Sequence, residues 1–370
     1  MVMHVYLHVP FCARRCSYCD FAIAVRAVTP EREYVQAVLT EWRARRQHPA
    51  LRRAPEVTTV YFGGGTPSRL GGDAIRALLE GLADGARVAQ DAEITLEANP
   101  DDVTAERADA WARAGVNRIS LGVQSHDPGV LAWMHRTHHP EQVGPAVRAL
   151  RDAGITDISL DLIFALPTAL RRDWFRDLDL TLELEPTHVS LYGLTVEPKT
   201  PLARWAARGE VTTVPDERYA EEYLTAHDAL VNNGFDHYEV SNAARPGYRA
   251  RHNSAYWRGA NYLGLGPSAH SFLDGVRSWN VRDWADYAAR SLSGESMLGG
   301  EERLDADQWR LEELYLGLRT DTGLATWRVP EAARASWLRE GWAVAAPEQL
   351  RLTAEGWLRL DALVSAVADS

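Results

Sequence analysis

The chain has 370 residues, 46% hydrophobic and 25% charged, the make-up of an ordinary globular protein with room for one large core and a smaller appendage. No apolar run is long enough to span a bilayer, and the opening MVMHVYLHVPF shows no cationic leader followed by a long apolar stretch, so a cytoplasmic location is expected. A net charge of −11 argues against general binding to phosphate backbones, which calls for basic surface, and no nucleic-acid partner is expected.

In chain order, short segments rich in Val, Ile and Leu alternate with helical patterns. The strand-like segments are VYLHV around residue 5, VTTVYF ending at Phe62, EITLEAN from Glu93, RISLGVQ from Arg118, DISLDLIFALP from Asp157 and HVSLYGLT from His188. Each is apolar over four or more residues, the mark of a parallel strand buried on both faces. Helices are expected after Thr29-Pro30, where Glu31 and Glu33 suit a first turn, and over DAIRALLEGLA, TAERADAWARAG, EQVGPAVRALRDAG and RDWFRDLDLTLELEP. Gly115 and Gly154 stand where helix C-caps belong.

Six βα units of this kind imply an α/β fold with a parallel sheet. A doubly wound sheet and a partial barrel both fit the alternation, and the polar motifs decide between them. CxxxCxxC follows the first strand, GGGTPS follows the second, Glu97 and Gln124 end the third and fourth, and Asp161 lies on the fifth. Functional residues at many strand ends facing one mouth are the barrel arrangement, so a partial (β/α)6 barrel is expected over residues 1–245. Regular alternation stops after about residue 200. HYEVSN from His237 offers one more strand, and residues 246–304 are expected to form a loop-rich extension. Residues 305–370 suggest helix, short strand pair and helix, a small winged-helix-like α+β domain that is not basic enough for a DNA reader.

The cysteines are the sharpest local signal. Cys12, Cys16 and Cys19 are the only three, and they fall within eight residues, which argues for metal binding rather than a disulfide framework. Soft thiolates select iron–sulfur clusters, Zn or Cu(I). Three thiolates on C-x3-C-x2-C can wrap three corners of a cubane, leaving one iron for a small molecule; with His8 they could instead form a Cys3His zinc site. The place of the loop, directly after a first parallel strand with a glycine loop after the second, favours the cluster.

Together HVPFCARRCSYCDF, YFGGGTPS, LEANPD, ISLGVQS, DLIFALP and HNSAYW resemble the radical S-adenosylmethionine (SAM) group that contains oxygen-independent coproporphyrinogen III oxidases and HemW-type heme chaperones. The resemblance runs over nearly the whole chain and implies roles residue by residue. Cys12, Cys16 and Cys19 would ligate a [4Fe-4S] cluster, and SAM would chelate the open iron. Tyr6, Gly64, Gly65, Thr66, Glu97, Gln124, Arg136 and Asp161 match the SAM contacts of that group. Residue chemistry agrees: glycines admit the ligand close to backbone, carboxylates suit hydroxyls or cationic groups, and an arginine fork suits the SAM carboxylate.

The resemblance leaves two functions. In an oxidase, SAM cleavage yields a 5′-deoxyadenosyl radical that abstracts hydrogen from porphyrinogen propionates. In a carrier, heme is bound and handed to an acceptor protein that the sequence does not name. The oxidases resemble C-x3-C-x2-C-x-C, whereas Phe21 stands at the fourth position here and cannot replace a thiol. They also have a longer segment ahead of the cluster loop, against 11 residues here. HNSAYW matches the HNxxYW signature of the carriers, which implies His252 in heme binding, with Tyr256 and Trp257 against the macrocycle. Tyr192, Tyr262 and His270 are further candidates for that cavity. The expectation is a heme carrier with a [4Fe-4S] cluster, SAM and heme, for which SAM cleavage is an open matter and peripheral membrane contact is compatible although no anchor is visible.

Overall fold

The computed structural model describes residues 2–49, 51 and 56–368. Six strands fall where the apolar segments predict: β1 (Val2–Val9), β2 (Glu56–Gly64), β3 (Arg87–Ala98), β4 (Arg118–Gln124), β5 (Asp157–Phe164) and β6 (His188–Gly193). They lie side by side and parallel in the order of the sequence. A doubly wound sheet would reverse its order at a switch point, so sequential winding is the barrel pattern. The sheet does not close on itself and ends on other strands at both edges. The fold is therefore a partial (β/α)6 barrel, and the carboxyl ends of all six strands open on one side.

The crossovers are helical. Helix α1 (Glu31–Arg45) buries Tyr34, Ala37, Val38, Glu41 and Trp42, an i, i+3, i+4, i+7, i+8 stripe set against the sheet. Helices α2 (Gly72–Ala83) and α3 (Ala105–Ala114) follow; Thr104 caps the start of α3 and Gly115, at φ 110°, ends it in the left-handed conformation that costs glycine least. After α4 (Pro128–Trp133), α5 (Val143–Asp152) is capped by Ala153, one position before the expected Gly154, which follows at φ 87°. Helix α6 (Trp174–Glu183) completes the set.

The second half departs from the sequence expectation. Helices α7 (Pro201–Ala207) and α8 (Asp216–Asn232) lead to β7 (Asp236–Glu239) and β8 (Asn242–Ala244), and β8 pairs antiparallel with β6. Residues 246–304, expected to be loop-rich, instead carry α9 (Arg251–Trp257), β9 (Tyr262–Leu265), β10 (His270–Leu273), β11 (Val276–Asn280), α10 (Trp284–Ser293) and β12 (Leu298–Arg303). Strand β9 adds in parallel to the free edge of β1, with Tyr6 opposite Gly264, and β10, β11 and β12 continue antiparallel, giving one twelve-stranded sheet. These strands hide in the sequence because they are short and rich in Gly, Ser, Arg and Asn, and because Gly264 must lack a Cβ to let the His270 carbonyl pack against it.

A buried carboxylate locks this extension to the barrel. Glu41, on the apolar stripe of α1, accepts from the Gly266 amide (2.9 Å), the Asn280 side-chain amide (2.7 Å) and the Tyr287 hydroxyl (2.6 Å). Burial pushes its carboxyl upward, and these three donors oppose the rise. Beyond it, α11 (Ala306–Leu318), β13 (Leu324–Ala325), α12 (Glu331–Arg339) and the hairpin of β14 (Ala343–Ala346) with β15 (Gln349–Leu352) form the small C-terminal unit, closed by α13 (Ala354–Trp357) and α14 (Leu360–Ala368). Its three-stranded antiparallel sheet has the order β13-β15-β14. Its core is continuous with that of the barrel. No helix among the described residues is long and apolar enough to cross a membrane.

Candidate functional site: a thiol loop at the strand ends

The cysteine loop leaves β1 and is clamped at its base. Phe11 and Cys12 pair in parallel with Ala24 and Val25, so both ends of the loop are fixed. Midway, the Ser17 amide donates to the Met134 carbonyl at 3.0 Å, and the Ser17 carbonyl accepts from Leu202 at 2.9 Å. The Thr66 hydroxyl donates to Cys12 Sγ at 3.3 Å, and Arg136 Nη1 lies 3.8 Å from Cys16 Sγ. Burial pushes the Cys12 thiol upward and the Cys19 thiol up to about 12. Thiolates in such a place need a positive partner among them.

The zinc alternative finds no support in the geometry. His8, its fourth ligand, has Nε2 at 2.8 Å from the Ala22 carbonyl and Nδ1 at 3.1 Å from the Tyr6 hydroxyl. Among the described residues, no three His, Cys, Asp or Glu side chains gather around a single ion. A cubane spreads its thiolates over separate irons and makes no such demand.

The glycine loop ends β2 against the cysteines. A Cβ on Gly65 would fall 2.7 Å from the Pro10 carbonyl oxygen and 3.0 Å from Cys12 Sγ. Gly64 has φ 115°, and a Cβ there would strike the His8 ring. These positions need glycine for both conformation and space. From β3, Glu97 accepts from the Gly64 amide (3.0 Å) and the Tyr61 hydroxyl (2.9 Å). Burial lifts its carboxyl to about 7, opposed by those two bonds and assisted by Asp161. Gln124 holds φ 66° at an irregularity in the β4–β5 pairing. Arg136 is held in place, with Nη2 donating to Asn99 Oδ1 (2.6 Å) and the Gly122 carbonyl (2.8 Å). Asp161 accepts from Ser120 (2.7 Å) and Ser159 (3.0 Å).

These elements enclose a cavity of about 430 Å³. Cys12, Cys16 and Cys19 line it, and so do Gly64, Gly65, Thr66, Glu97, Gln124, Arg136 and Asp161. Tyr6 does not: its ring stacks on Tyr61 and lines a neighbouring cavity of about 570 Å³. Sequence reasoning missed Asn99 and Tyr61. Tyr61 carried a signal, since it points inward between residues of β2 that face the core, but a lone tyrosine in an apolar strand reads as packing.

The neighbouring cavity meets the first at Asp20, Phe21, Gly64 and Glu97. Phe21, at the fourth-cysteine position, is 56% exposed and belongs to both walls. Tyr256 and Trp257 of HNSAYW line the larger cavity, as do Tyr262 and His270, while Tyr192 lines the smaller. His252 lines neither and is 1% exposed. Its Nδ1 is 2.7 Å from the Thr59 hydroxyl and its Nε2 is 2.7 Å from the Tyr256 hydroxyl. Glu93 holds the start of α9 by accepting from the Arg251 and His252 amides at 2.6 and 2.9 Å. The expectation that His252 faces heme therefore meets an obstacle: helix formation turns this side chain into the core, and both ring nitrogens are engaged there.

Residues 6–181 match the model of the radical SAM superfamily. Over 368 residues the chain is 39% identical to a heme chaperone HemW of Mycobacterium tuberculosis, spanning 97% of this chain and 93% of the relative. The chain belongs to the HemW family of radical SAM proteins. Other members include a heme chaperone HemW of Escherichia coli, 38% identical over 74% of this chain and 71% of its own length. A mitochondrial radical S-adenosyl methionine domain-containing protein 1 of Bos taurus is 34% identical over 96% of this chain and 82% of its own. Among solved structures, the coproporphyrinogen III oxidase HemN of Escherichia coli superposes with a TM-score of 0.80, covering 99% of this chain and 90% of that one. At 21% identity this is a likeness of fold.

Membership of the radical SAM superfamily implies a [4Fe-4S] cluster and SAM, and the residues present fit both groups. The donor set is three thiols on one loop, and the Gly65 position is open where a side chain would press on Cys12 Sγ.

Proposed function

We propose that this protein is a heme carrier that binds a [4Fe-4S] cluster, SAM and heme and delivers heme to an acceptor protein. The observation that carries the reading is the aromatic cavity of about 570 Å³ that adjoins the thiol-lined cavity across Phe21. Its size suits a ligand of drug dimensions or somewhat larger, and its lining joins aromatic rings to charged and polar side chains, among them Asp20, Glu97, Arg277, Arg282 and Glu312. The names of the relatives at 39% and 38% identity point the same way. Within this reading Cys12, Cys16 and Cys19 hold the cluster, whose open iron binds SAM and supplies one-electron chemistry. Arg136 presents donors toward Cys16 and the SAM carboxylate, the glycine loop admits the ligand close to backbone, and Glu97 and Asp161 accept from its polar hydrogens.

Oxygen-free reconstitution followed by heme titration, beside a coproporphyrinogen III assay, tests this. The expected result is iron with inorganic sulfide, saturable heme binding with a shifted Soret band, transfer of heme to an apo-acceptor, and no protoporphyrinogen IX. Turnover of coproporphyrinogen would replace the carrier with the oxidase, whose fold the chain shares.

A further inference from the structure

Resting on the carrier reading, we propose that heme occupies the 570 Å³ cavity with His270 as the protein ligand to iron, Arg282 receiving a propionate, and His252 acting only through Tyr256. The cavity's aromatic wall is continuous. Tyr256 meets Tyr262 edge-on with centroids 4.6 Å apart, Tyr262 lies 6.4 Å from Phe272, and Phe272 meets Trp309 at 5.4 Å. Such a run offers a flat macrocycle large apolar area at small entropic cost.

Two imidazoles reach this space; His8 is engaged at both nitrogens, by the Tyr6 hydroxyl and the Ala22 carbonyl, which leaves His270. It begins β10, lines the cavity and is exposed. Its ring stacks on Trp279 at 5.9 Å with planes 30° apart, and among the described residues its ring nitrogens make no hydrogen bond. The stack orients the ring and leaves a lone pair free for a metal. Partial burial and the nearby Arg277 guanidinium lower its pKa, which favours the neutral, ligating form. His252 differs in each respect: buried, engaged at both nitrogens and behind Tyr256.

One donor stands ready for the acidic edge. At the rim, Arg282 donates to the Asp20 carbonyl at 2.5 Å and forms no ion pair among the described residues, so its charge is uncommitted. Arg277 also lines the cavity, but Glu302 and Glu312 already neutralise it.

The test compares wild type, His270→Ala, His252→Ala, His252→Gln and Arg282→Ala, each checked for fold by circular dichroism. Heme and metal-free protoporphyrin IX are the probes, followed by Soret position and by quenching of tryptophan fluorescence. His270→Ala is expected to abolish the wild-type ligation spectrum, while protoporphyrin IX still quenches with an affinity within threefold of wild type. The His252 variants are expected to keep the Soret position and lose at most about tenfold in affinity for both probes; Gln serves where Ala does not fold. Arg282→Ala is expected to weaken both probes about fivefold without moving the spectrum. A His270→Ala protein with an unchanged Soret band, or a folded His252 variant that loses it, overturns this assignment and leaves the carrier function standing. A wild type that binds neither probe removes the carrier function itself.

Discussion

The two cavities that meet at Phe21 are built from opposite kinds of chain. The thiol cavity is assembled from the ends of consecutive parallel strands, and its residues follow one another in sequence order from Cys12 to Tyr192. The aromatic cavity joins Tyr6 and His8 of β1 to residues 256–316, more than 240 positions away. The first holds charged groups out of water by fixing each in a lattice of hydrogen bonds. The second stacks rings and leaves His270 and the charge of Arg282 uncommitted at its edge. One is suited to a small, densely polar ligand and the other to a large flat one.

Changes confined to one cavity sharpen this contrast. The largest effect is expected from Cys16→Ala: complete loss of iron, sulfide and visible absorption, with an unchanged far-ultraviolet dichroism spectrum because the core lies in the sheet. Unfolding of that variant would make the metal structural and break the contrast. Gly65→Ala comes next. Its methyl group meets the Pro10 carbonyl and Cys12 Sγ, so cluster occupancy is expected to fall sharply and urea unfolding to show a loss of about 1–3 kcal/mol.

Glu97→Gln is expected to act with a characteristic pH dependence. The carboxyl is lifted by burial from 4.5 to about 7, so between those values the folded protein holds a proton that the unfolded chain has released. Wild-type stability therefore falls as pH rises through this window. The uncharged variant escapes that fall. Above pH 7 the ligand-free variant should be more stable by about 1–2 kcal/mol, discounted because the residue keeps some solvent contact, and the gap should close near pH 5. SAM affinity should drop in the same protein, and a stability gap independent of pH would contradict the assignment. The smallest effect is expected from Gln124→Gly. Relieving a non-glycine residue at φ 66° should raise stability by about 0.5–1 kcal/mol, while SAM binding measured by calorimetry weakens.

How much of this was legible follows the same division. The parallel half announced itself because buried strands such as Arg118–Gln124 and Asp157–Phe164 read as continuous apolar runs, and because a glycine loop and three cysteines sat at their ends. The extension did not. Tyr262–Leu265 and His270–Leu273 are four residues each, below the length at which alternation can be told from chance. HNSAYW was visible as a motif, but its meaning depended on helix phase. Once Glu93 fixes the first turn of α9, His252 faces Thr59 and Tyr256, and Trp257 faces the cavity. Glu41 shows the same limit: a glutamate on an apolar stripe reads as an exception until the partners 225 and more residues away are known.

The pairing of β9 with β1 has a consequence in time. During synthesis the thiol loop, the glycine loop and Glu97 are all made within the first 98 residues, whereas the other neighbour of β1 is completed only at Leu265. Until then β1 carries a bare backbone edge. The ligands for the cluster are thus synthesised well before the residues of the aromatic chamber, and β9 both covers the edge of the first strand and carries Tyr262 into the second compartment.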